Sequence, residues 1–360
     1  MKLLVFAVLL FSPIAAQAQV ATILESTAAM RTAKLLRVQL DTGVALNASL
    51  LAGQRSGILE SPPIARRLFD RAVISWNAIT PNGTWLELAV RARVGSNWSR
   101  YYRIAKWSTD PRLERRSFAG ERDANGSLET DTLKLTRAGN AVQIRVTFNT
   151  SVTGETPTLR RLAVSSFDSR TAYRVNQEPS DRRAWGVDIA VPVRSQMIYP
   201  NGGEVWCSPT TVTMLLEYWG IKLKRTLAER VPKAVNAIWD KVYDGGGNWV
   251  LNTAYVGSKG LKAYVDRLSS LSQAEAFIRR GLPLVVSINW KLGTLRGAKL
   301  PTSSGHILLL RGFTKNGDPI TNDPAGKRET QADIVTVYDR AEFERAWIEH
   351  SGGIVYVVQP

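Results

Sequence analysis

Cysteine and histidine are scarce in this 360-residue sequence, which contains one cysteine and two histidines. The lone cysteine, Cys207, has no partner for an intramolecular disulfide. It is therefore a buried small hydrophobe, one half of an intermolecular bridge or a reactive thiol. Two histidines and one cysteine are too few for a zinc site, and no G-x-x-x-x-G-K-S/T phosphate-binding motif occurs. We therefore expect neither a metal nor another cofactor.

Long apolar runs are confined to the N-terminus. Lys2 is followed by the apolar stretch 3–11 and by Ala16-Gln17-Ala18, a pattern typical of a secretory signal peptide cleaved before Gln19. The run is too short to stay as a membrane anchor, and no other run reaches spanning length. We expect residues 1–18 to be a signal peptide and the mature protein to be secreted or periplasmic, with no membrane span.

Acidic residues are outnumbered, with 31 Asp and Glu against 47 Lys and Arg and a formal net charge of +16. No block of consecutive basic residues occurs, so a solvated basic surface is the simpler interpretation. The alternative is attraction to an anionic cell-envelope polymer, an acidic glycan or an acidic protein. We expect no nucleic-acid partner. The 44% of apolar residues and 22% of charged residues indicate a globular protein.

The first half of the sequence reads as strands separated by turns. Segments such as TWLELAVRARV (84–94) and AVQIRVTFN (141–149) alternate apolar and polar residues, and turn sequences occur at 81–83, 124–126 and 138–140. Period-two strands at roughly ten-residue spacing predict an all-β sandwich, jelly-roll-like, over residues 19–175.

Tryptophans and arginines are interspersed in this half. Aromatic rings beside arginine are a common platform for sugars or extended peptides, which makes a glycan-binding module one interpretation. Periodicity alone does not separate that interpretation from burial in the core. The residues concerned are Trp76, Trp85, Trp98, Trp107, Tyr101 and Tyr102.

A second domain with mixed helices and strands follows a polar, proline-containing linker at 176–186. We predict an α+β domain over 187–360, in which the first helix precedes the strands of the sheet. The predicted helices are 209–219, 252–267, 272–280 and 340–348. The predicted strands are 284–289, 306–313, 334–338 and 354–358.

Cys207 opens the first helix of this domain. In CSPTTVTMLLEYWG, Pro209 suits a first turn, the apolar positions predict an amphipathic helix with one buried face, and Gly220 predicts its end. The N–H groups and dipole of a helix N-terminus stabilise a thiolate. The placement therefore predicts a nucleophilic cysteine.

A thiolate nucleophile needs an imidazole, and His306 at the start of the apolar strand GHILLLRGF is the better candidate. His350, near a helix end, reads as a C-terminal cation. A hairpin joining 307–313 to 319–323 would place Asp323 beside His306, as an orienting carboxylate. Asn322 and Asp318 are alternatives, weakened because adjacent strand residues face opposite sides and because N-G-D is itself a turn.

Cysteine, histidine and aspartate in this order and in these contexts form a papain-like arrangement. The sequence resembles the papain-like bacteriocin-processing, or double-glycine leader, cysteine peptidase family and its secreted relatives. The resemblance rests on WCSPTTVTMLLEYWG, AEAFIRRGLPLVVSIN, GHILLLRGF and DPITNDP, and it covers about residues 187–360. It implies a papain-like fold with Cys207 as nucleophile, His306 as general base and acid, and Asp323 as orienter.

The family also places a glutamine upstream of the cysteine as an oxyanion-hole donor. In exporter-associated members it lies six residues before the cysteine, a position held here by Asn201, whereas Gln196 lies eleven before. We favour Gln196, since the longer side chain can span a lengthened loop. The transmembrane and ATPase segments of those exporters are absent, so double-glycine leader cleavage is not implied.

The resulting prediction is a secreted cysteine peptidase that hydrolyses peptide or protein substrates through a thioester. The alternatives are a papain-like amidase or acyltransferase on cell-wall peptides, and a non-catalytic surface protein in which the sandwich does the binding. The glycine-rich loop 243–250 is either a mobile lid over the cleft or a plain surface loop.

Overall fold

The computed structural model describes residues 21–172 and 178–360. The predicted signal peptide and its cleavage site lie outside the described residues, as do the first two residues of the predicted linker. The described part of that linker is packed against the C-terminal half: the Trp185 indole N–H donates to Glu275 Oε1 at 2.9 Å, and the Asp181 N–H donates to Glu275 Oε2 at 2.6 Å.

The N-terminal half is built almost wholly of antiparallel strands. The strands are β1 Thr22–Leu24, β2 Lys34–Leu36, β3 Val38–Leu40, β4 Ala48–Leu50, β5 Ser56–Glu60, β6 Ile64–Ile79, β7 Thr84–Val94, β8 Asn97–Trp98, β9 Tyr102–Trp107, β10 Arg116–Ser117, β11 Arg122–Asp123, β12 Gly126–Glu129, β13 Thr132–Thr150 and β14 Thr158–Phe167. The half ends in the short helix α1, Ser169–Ala172.

The main path through this sheet runs in the order β10-β9-β7-β13-β6-β14-β4-β3. The long strand β13 pairs with β7 along its second part. On its other edge, β13 pairs first with β6 and then with β5.

Strand β7 shows why the alternating pattern works as a signal. Leu86, Leu88 and Val90 are buried, while Glu87 and Arg91 on the other face are half-buried. Because successive side chains of a strand point to opposite faces, this sequence can bury only one side completely. The strand-rich half predicted from such patterns is present, and its jelly-roll arrangement stays a prediction.

The turn predicted at 138–140 is wrong, because β13 runs through it. The pairing of β13 with β6 shifts register on both sides of Gly139, so the extra residues form a bulge inside one long strand. A Cβ at Gly139 would lie 2.9 Å from both Leu135 Cδ1 and Phe69 Cζ. The glycine is therefore needed for close packing. The turns at 81–83 and 124–126 are present.

The C-terminal half combines helices with a six-stranded antiparallel sheet. The elements are α2 Cys207–Leu223, α3 Val231–Ile238, α4 Trp249–Ser258, β15 Lys262–Arg267, α5 Leu271–Ile278, β16 Leu284–Trp290, β17 Ser303–Phe313, β18 Pro319–Asn322, α6 Gln331–Ile334, β19 Val335–Val337, α7 Arg340–Glu344, a π-helical turn Arg345–Glu349, and β20 Ile354–Gln359. As predicted, a helix comes before the strands. The strand order in the sheet is β15-β20-β16-β17-β18-β19.

Two predictions for α2 are wrong. The helix is buried on nearly all sides from Ser208 to Gly220 rather than along one face, and it continues past Gly220 to Leu223. A Cβ at Gly220 would lie 2.7 Å from the Arg225 carbonyl oxygen, so this glycine lets the returning chain approach the helix.

The helix predicted over 252–267 is wrong in its second part. The chain leaves α4 after Ser258, turns at Gly260 with a φ of +87°, and forms β15. Five of the six β15 residues are buried, so no alternation marks the strand in the sequence. Sequence reasoning also missed α3.

Side chains of β6 join the two halves by hydrogen bonds to main-chain groups of β15. The Asn77 amide donates to the Ala263 carbonyl at 2.8 Å and accepts from the Ala263 N–H at 3.1 Å, and the Val265 N–H donates to Ser75 Oγ at 3.1 Å. A Cβ at Gly257 would lie 2.3 Å from Asn77 Nδ2, so α4 comes close to β6 at a glycine. Across the described residues, none of the helices is long and apolar enough to cross a membrane.

Candidate active site

The hairpin formed by β17 and β18 brings His306 and Asp323 together. Leu309 pairs with Asn322, and the chain beyond β18 places Asp323 Oδ1 2.8 Å from His306 Nε2. Both side chains are buried, with exposed fractions of 2% and 1%. The predicted imidazole–carboxylate contact is therefore present in the structure.

Asp323 is held by two further donors. The Tyr338 hydroxyl donates to Oδ2 at 2.8 Å, and the Ala325 N–H donates to Oδ1 at 2.9 Å. Burial raises the pKa of Asp323, but the charge of His306 and these hydrogen bonds outweigh it and hold the pKa below its usual value. Asp323 is thus an ionised carboxylate whose two oxygens both accept hydrogen bonds. Tyr338 was missed as a site residue, and its position at the end of a predicted strand gave no signal of this role.

Cys207 is the first residue of α2, is half-buried, and lies close enough to His306 for the imidazole to act on its thiol. Burial raises the pKa of the thiol, but the interaction with His306, together with the N–H groups of Ile307 and Ser208, lowers it below its usual value overall. Burial lowers the pKa of His306, while Asp323 and Cys207 raise it to about 10. The pair therefore favours a thiolate beside an imidazolium.

Two contacts fix the nucleophile helix against the sheet that carries the histidine. Thr211 Oγ1 donates to the Ile307 carbonyl at 3.1 Å, and Ser208 Oγ lies 3.2 Å from the Tyr356 hydroxyl of β20. Since Ile307 follows His306 directly, the first contact sets the distance between the thiol and the imidazole.

Trp290 covers the imidazole from the end of β16. Its ring centre lies 5.8 Å from that of His306 at an interplanar angle of 79°, and the side chain is buried. An indole in this edge-to-face contact restricts rotation of the imidazole. Sequence reasoning missed Trp290, because the cross-strand pairing of β16 with β17 that places it there is non-local.

Gln196 is buried beside these residues, whereas Asn201 is exposed on the turn between Gln196 and α2. The Gln196 N–H donates to the Pro324 carbonyl at 2.9 Å, which ties this segment to the residue after Asp323. Its side-chain Nε2 donates to the Gly203 carbonyl at 2.8 Å, and its Oε1 has no hydrogen-bond partner among the described residues. Since Nε2 carries two N–H groups, the second one has no hydrogen-bond partner in the described part of the chain.

The alternative residues are engaged elsewhere. Asn322 faces away from His306: its Nδ2 donates to the Pro192 carbonyl at 3.0 Å, and its Oδ1 accepts from Arg311 at 3.1 Å. Asp318 accepts from the Arg340 N–H at 3.2 Å within the hairpin turn. His350 is exposed.

The tryptophans of the N-terminal half divide between core and surface. Trp76 and Trp107 are fully buried and meet edge-on at 6.4 Å, so they belong to the core. Trp85 and Trp98 are half-buried beneath cations, with Lys106 Nζ 5.0 Å and Arg91 Cζ 4.9 Å from the ring centres.

A surface cleft of about 280 Å³ lies on the β7–β9–β13 face of the same half. The guanidinium of Arg145 stacks 3.8 Å from the centre of the half-buried Tyr101 ring. The polar and aromatic lining residues are Glu87, Arg100, Tyr101, Arg103, Glu121, Arg145 and Thr147.

Both halves of the chain match family models. Residues 188–355 match the Peptidase C39 like family, and residues 25–166 match the Peptidase C39 N-terminal domain. The resemblance to this peptidase family that we drew from the sequence is thereby confirmed.

Among solved structures, a candidate C39-like peptidase from Bacillus anthracis is similar with 16% identity and a TM-score of 0.35, over 48% of this chain and 98% of that one. CBM35 from Paenibacillus barcinonensis is similar with 14% identity and a TM-score of 0.22, over 40% of this chain and 98% of that one. The comparison with curated proteins found no match.

Proposed function

We propose that this chain, similar over residues 188–355 to the C39-like peptidases, is an exported cysteine peptidase in which Cys207, His306 and Asp323 form the catalytic triad. The observation that carries the proposal is the position of His306, which hydrogen-bonds to Asp323 at 2.8 Å and lies close enough to the thiol of Cys207 to lower its pKa. A buried histidine with a purely structural role would need no thiol partner at a helix N-terminus.

The reaction is acyl transfer from an amide. The Cys207 thiolate attacks the peptide carbonyl carbon, and the resulting oxyanion accepts hydrogen bonds from the Cys207 N–H and the uncommitted N–H of Gln196 Nε2. The His306 imidazolium donates its proton to the leaving amine as the carbon–nitrogen bond breaks, which leaves a thioester. His306 then takes a proton from water, which hydrolyses the thioester and regenerates the thiolate.

Asp323 orients the imidazole and stabilises its protonated form through the 2.8 Å hydrogen bond. Tyr338 and Ala325 fix the carboxylate, and Trp290 fixes the ring edge-on. These groups act through His306 and make no contact with substrate in the mechanism.

The test is cleavage of a peptide library and of unfolded protein by the mature chain, read by mass spectrometry. Wild-type protein should give defined cleavage sites, and Cys207→Ala should give none, while His350→Ala, a matched histidine control outside the site, should cleave like the wild type. Uncleaved peptides combined with turnover of peptidoglycan fragments would support the amidase or acyltransferase alternative. No turnover of either substrate class would overturn the proposal.

A second candidate function, glycan binding, rests on the cleft on the N-terminal half. Guanidinium and carboxylate groups in one cleft supply both donors and acceptors for sugar hydroxyls, and the half-buried Tyr101 supplies an apolar surface. We expect the Cys207→Ala protein to bind an acidic polysaccharide in affinity electrophoresis, and Tyr101→Ala to weaken that binding. Arg112→Ala, on an exposed side chain outside the cleft, is the control. Equal retardation of all three proteins would contradict this second function.

A further inference from the structure

The loop between α3 and α4, residues 239–248, lies directly beside the nucleophile helix. A Cβ at Gly246 would be 3.2 Å from Cγ and Cδ of Pro209, which occupies the first turn of α2. The glycine-rich sequence therefore allows the loop to pass against the N-terminal turn that carries Cys207.

Tyr243 projects from this loop near the thiol. Its ring packs on the backbone of the loop, where a Cβ at Gly247 would lie 2.9 Å from the Tyr243 hydroxyl, yet half of the residue is exposed, at 50%. The ring also lies against Gly245, where a Cβ would be 3.1 Å from it, and Gly246 between these two glycines packs on Pro209, so Tyr243 lies close to the turn that carries Cys207. Burial and the negative charge of the Cys207 thiolate raise the pKa of Tyr243. Val242 in the same loop and Val205, two residues before Cys207, are also exposed, at 39% and 60%, next to the exposed charged residues Lys241, Asp244 and Glu204.

Asp240 gives the loop its shape. The side chain is completely buried, and its Oδ1 accepts from the N–H groups of Val242 at 3.0 Å and Tyr243 at 3.3 Å. Its Oδ2 accepts from Asn248 Nδ2 at 2.8 Å, which links the two ends of the loop. Such a hydrogen-bond network is typical of a rigid loop and not of a mobile lid.

The N-terminal half contributes the remaining anchors. The Ser117 N–H donates to Asp240 Oδ1 at 2.9 Å, and Arg115 donates to the Asn236 carbonyl at 2.6 Å just before the loop. The Lys241 N–H donates to the Arg115 carbonyl at 3.1 Å, and the Trp249 N–H donates to Asp131 Oδ2 at 3.0 Å just after the loop. The strand-rich half therefore holds both ends of the loop beside the thiol.

We propose that Tyr243 is a specificity-determining residue that contacts a bulky apolar side chain of the peptide substrate next to the scissile bond, and that the N-terminal half positions it there. The inference rests on the proposed peptidase function and deepens it by naming the substrate class. A half-exposed aromatic ring gains contact area with an apolar side chain, and its electronegative face disfavours the carboxylate of a glutamate.

The first test uses alkylation of Cys207, since every adduct on this single-cysteine chain is unambiguous. In the wild type, benzyl chloroacetamide should react faster than unsubstituted chloroacetamide. The ratio of the two alkylation rates should fall roughly tenfold in Tyr243→Ala and be retained in Tyr243→Phe. Ile221→Ala, an exposed apolar residue at the far end of α2, should keep the wild-type ratio. The same variants should show the same order in the ratio of kcat/KM between a cleaved peptide and its apolar-to-glutamate analogue.

The second test addresses the positioning by the N-terminal half. Arg115→Met removes the anchor at Asn236, so hydrogen exchange of residues 241–247 should speed up and the benzyl preference should fall, while the rate with unsubstituted chloroacetamide stays unchanged. Arg112→Met, on an exposed neighbour, should change none of these.

The outcomes separate this inference from the proposed function. Rapid alkylation at neutral pH with a benzyl preference that Tyr243→Ala leaves intact would overturn the role of Tyr243 and leave the peptidase chemistry standing. Slow alkylation of wild-type Cys207 by both reagents would overturn the proposed function and, with it, this inference. Unchanged hydrogen exchange and preference in Arg115→Met would overturn the positioning by the N-terminal half.

Discussion

The interaction between Cys207 and His306 shifts the pKa values of the two side chains in opposite directions. It lowers the pKa of the thiol and raises that of the imidazole, against the burial that favours the neutral form of each. The thiolate is lost only as pH falls through the lowered pKa of Cys207, and the imidazolium only as pH rises through about 10. The reactive pair should therefore persist over a broad window around neutrality.

We predict that alkylation of Cys207 stays rapid well below the ordinary thiol pKa of about 8.5. In His306→Ala the burial of the thiol is no longer opposed by the imidazole, so its pKa should rise and the rate at pH 7 should fall by at least about tenfold. The measurement is the pH dependence of the iodoacetamide rate, with His350→Ala as the control. A wild-type rate that rises only at alkaline pH would show that the pair does not form.

The oxyanion donor is the second prediction at the scale of single residues. Gln196→Ala should lower kcat by about 10²–10³-fold, because the buried amide is lost, while the alkylation rate of Cys207 stays near that of the wild type. Asn201→Ala, on the exposed turn, should leave kcat unchanged. If instead Asn201→Ala lowers kcat and Gln196→Ala leaves it unchanged, Asn201 in the lengthened loop is the oxyanion donor and Gln196 has a structural role.

At the scale of elements, the β17–β18 hairpin carries the geometry of the site. Register places Leu309 opposite Asn322 and so fixes how far Asp323 reaches back toward His306. The hairpin in turn rests on the segment after the predicted linker, where Asp188 bridges to Gly312 and the Phe313 N–H donates to the Val187 carbonyl at 2.8 Å.

We predict that Gly312→Ala destabilises the protein. A Cβ there would lie 2.3 Å from the Val187 carbonyl oxygen, so the bridge must shift, at about 1–3 kcal/mol of unfolding free energy. Gly305→Ala in the same strand has nothing within 4 Å of the added carbon and should change the unfolding free energy little. Denaturant unfolding of both variants measures the difference, and equal stabilities would contradict the close approach.

At the scale of the whole molecule, the two halves meet around buried carboxylates. Asp131 of the N-terminal half accepts from the Trp249 N–H, and burial raises its pKa to about 6. Since the folded state then holds a proton that the unfolded state has released, Asp131 reduces stability as pH rises from about 4 to above 6.

We predict that Asp131→Asn removes this loss of stability with rising pH. Relative to the wild type, the variant should gain about 2–3 kcal/mol of unfolding free energy between pH 4 and pH 7. Asp333→Asn provides the opposite sign at lower pH: Arg328 holds the pKa of Asp333 below its usual value, so the stability that the wild-type carboxylate contributes is present above about pH 4 and lost as pH falls below it. Parallel pH curves for Asp131→Asn and the wild type would show that the interface carboxylate is not desolvated.

The sequence by itself determined the features that depend on neighbours along the chain. The start of α2 at Cys207, the alternation along β7, the turns at 81–83 and 124–126 and the hairpin behind His306 and Asp323 all follow from local patterns. The family resemblance rests on the same short stretches. For this reason the three residues of the proposed triad could be named before the fold was known.

Only the tertiary structure decided the features that depend on contacts distant in sequence. Buried strands such as β15 lose their alternation because both faces are covered, so the pattern there fits a helix equally well. Trp290 and Tyr338 reach His306 and Asp323 through strand pairing and packing that no local pattern encodes. The fixed position of Tyr243 likewise depends on Ser117 and Arg115, more than a hundred residues earlier, because it is the packing of the two halves that supplies its anchors.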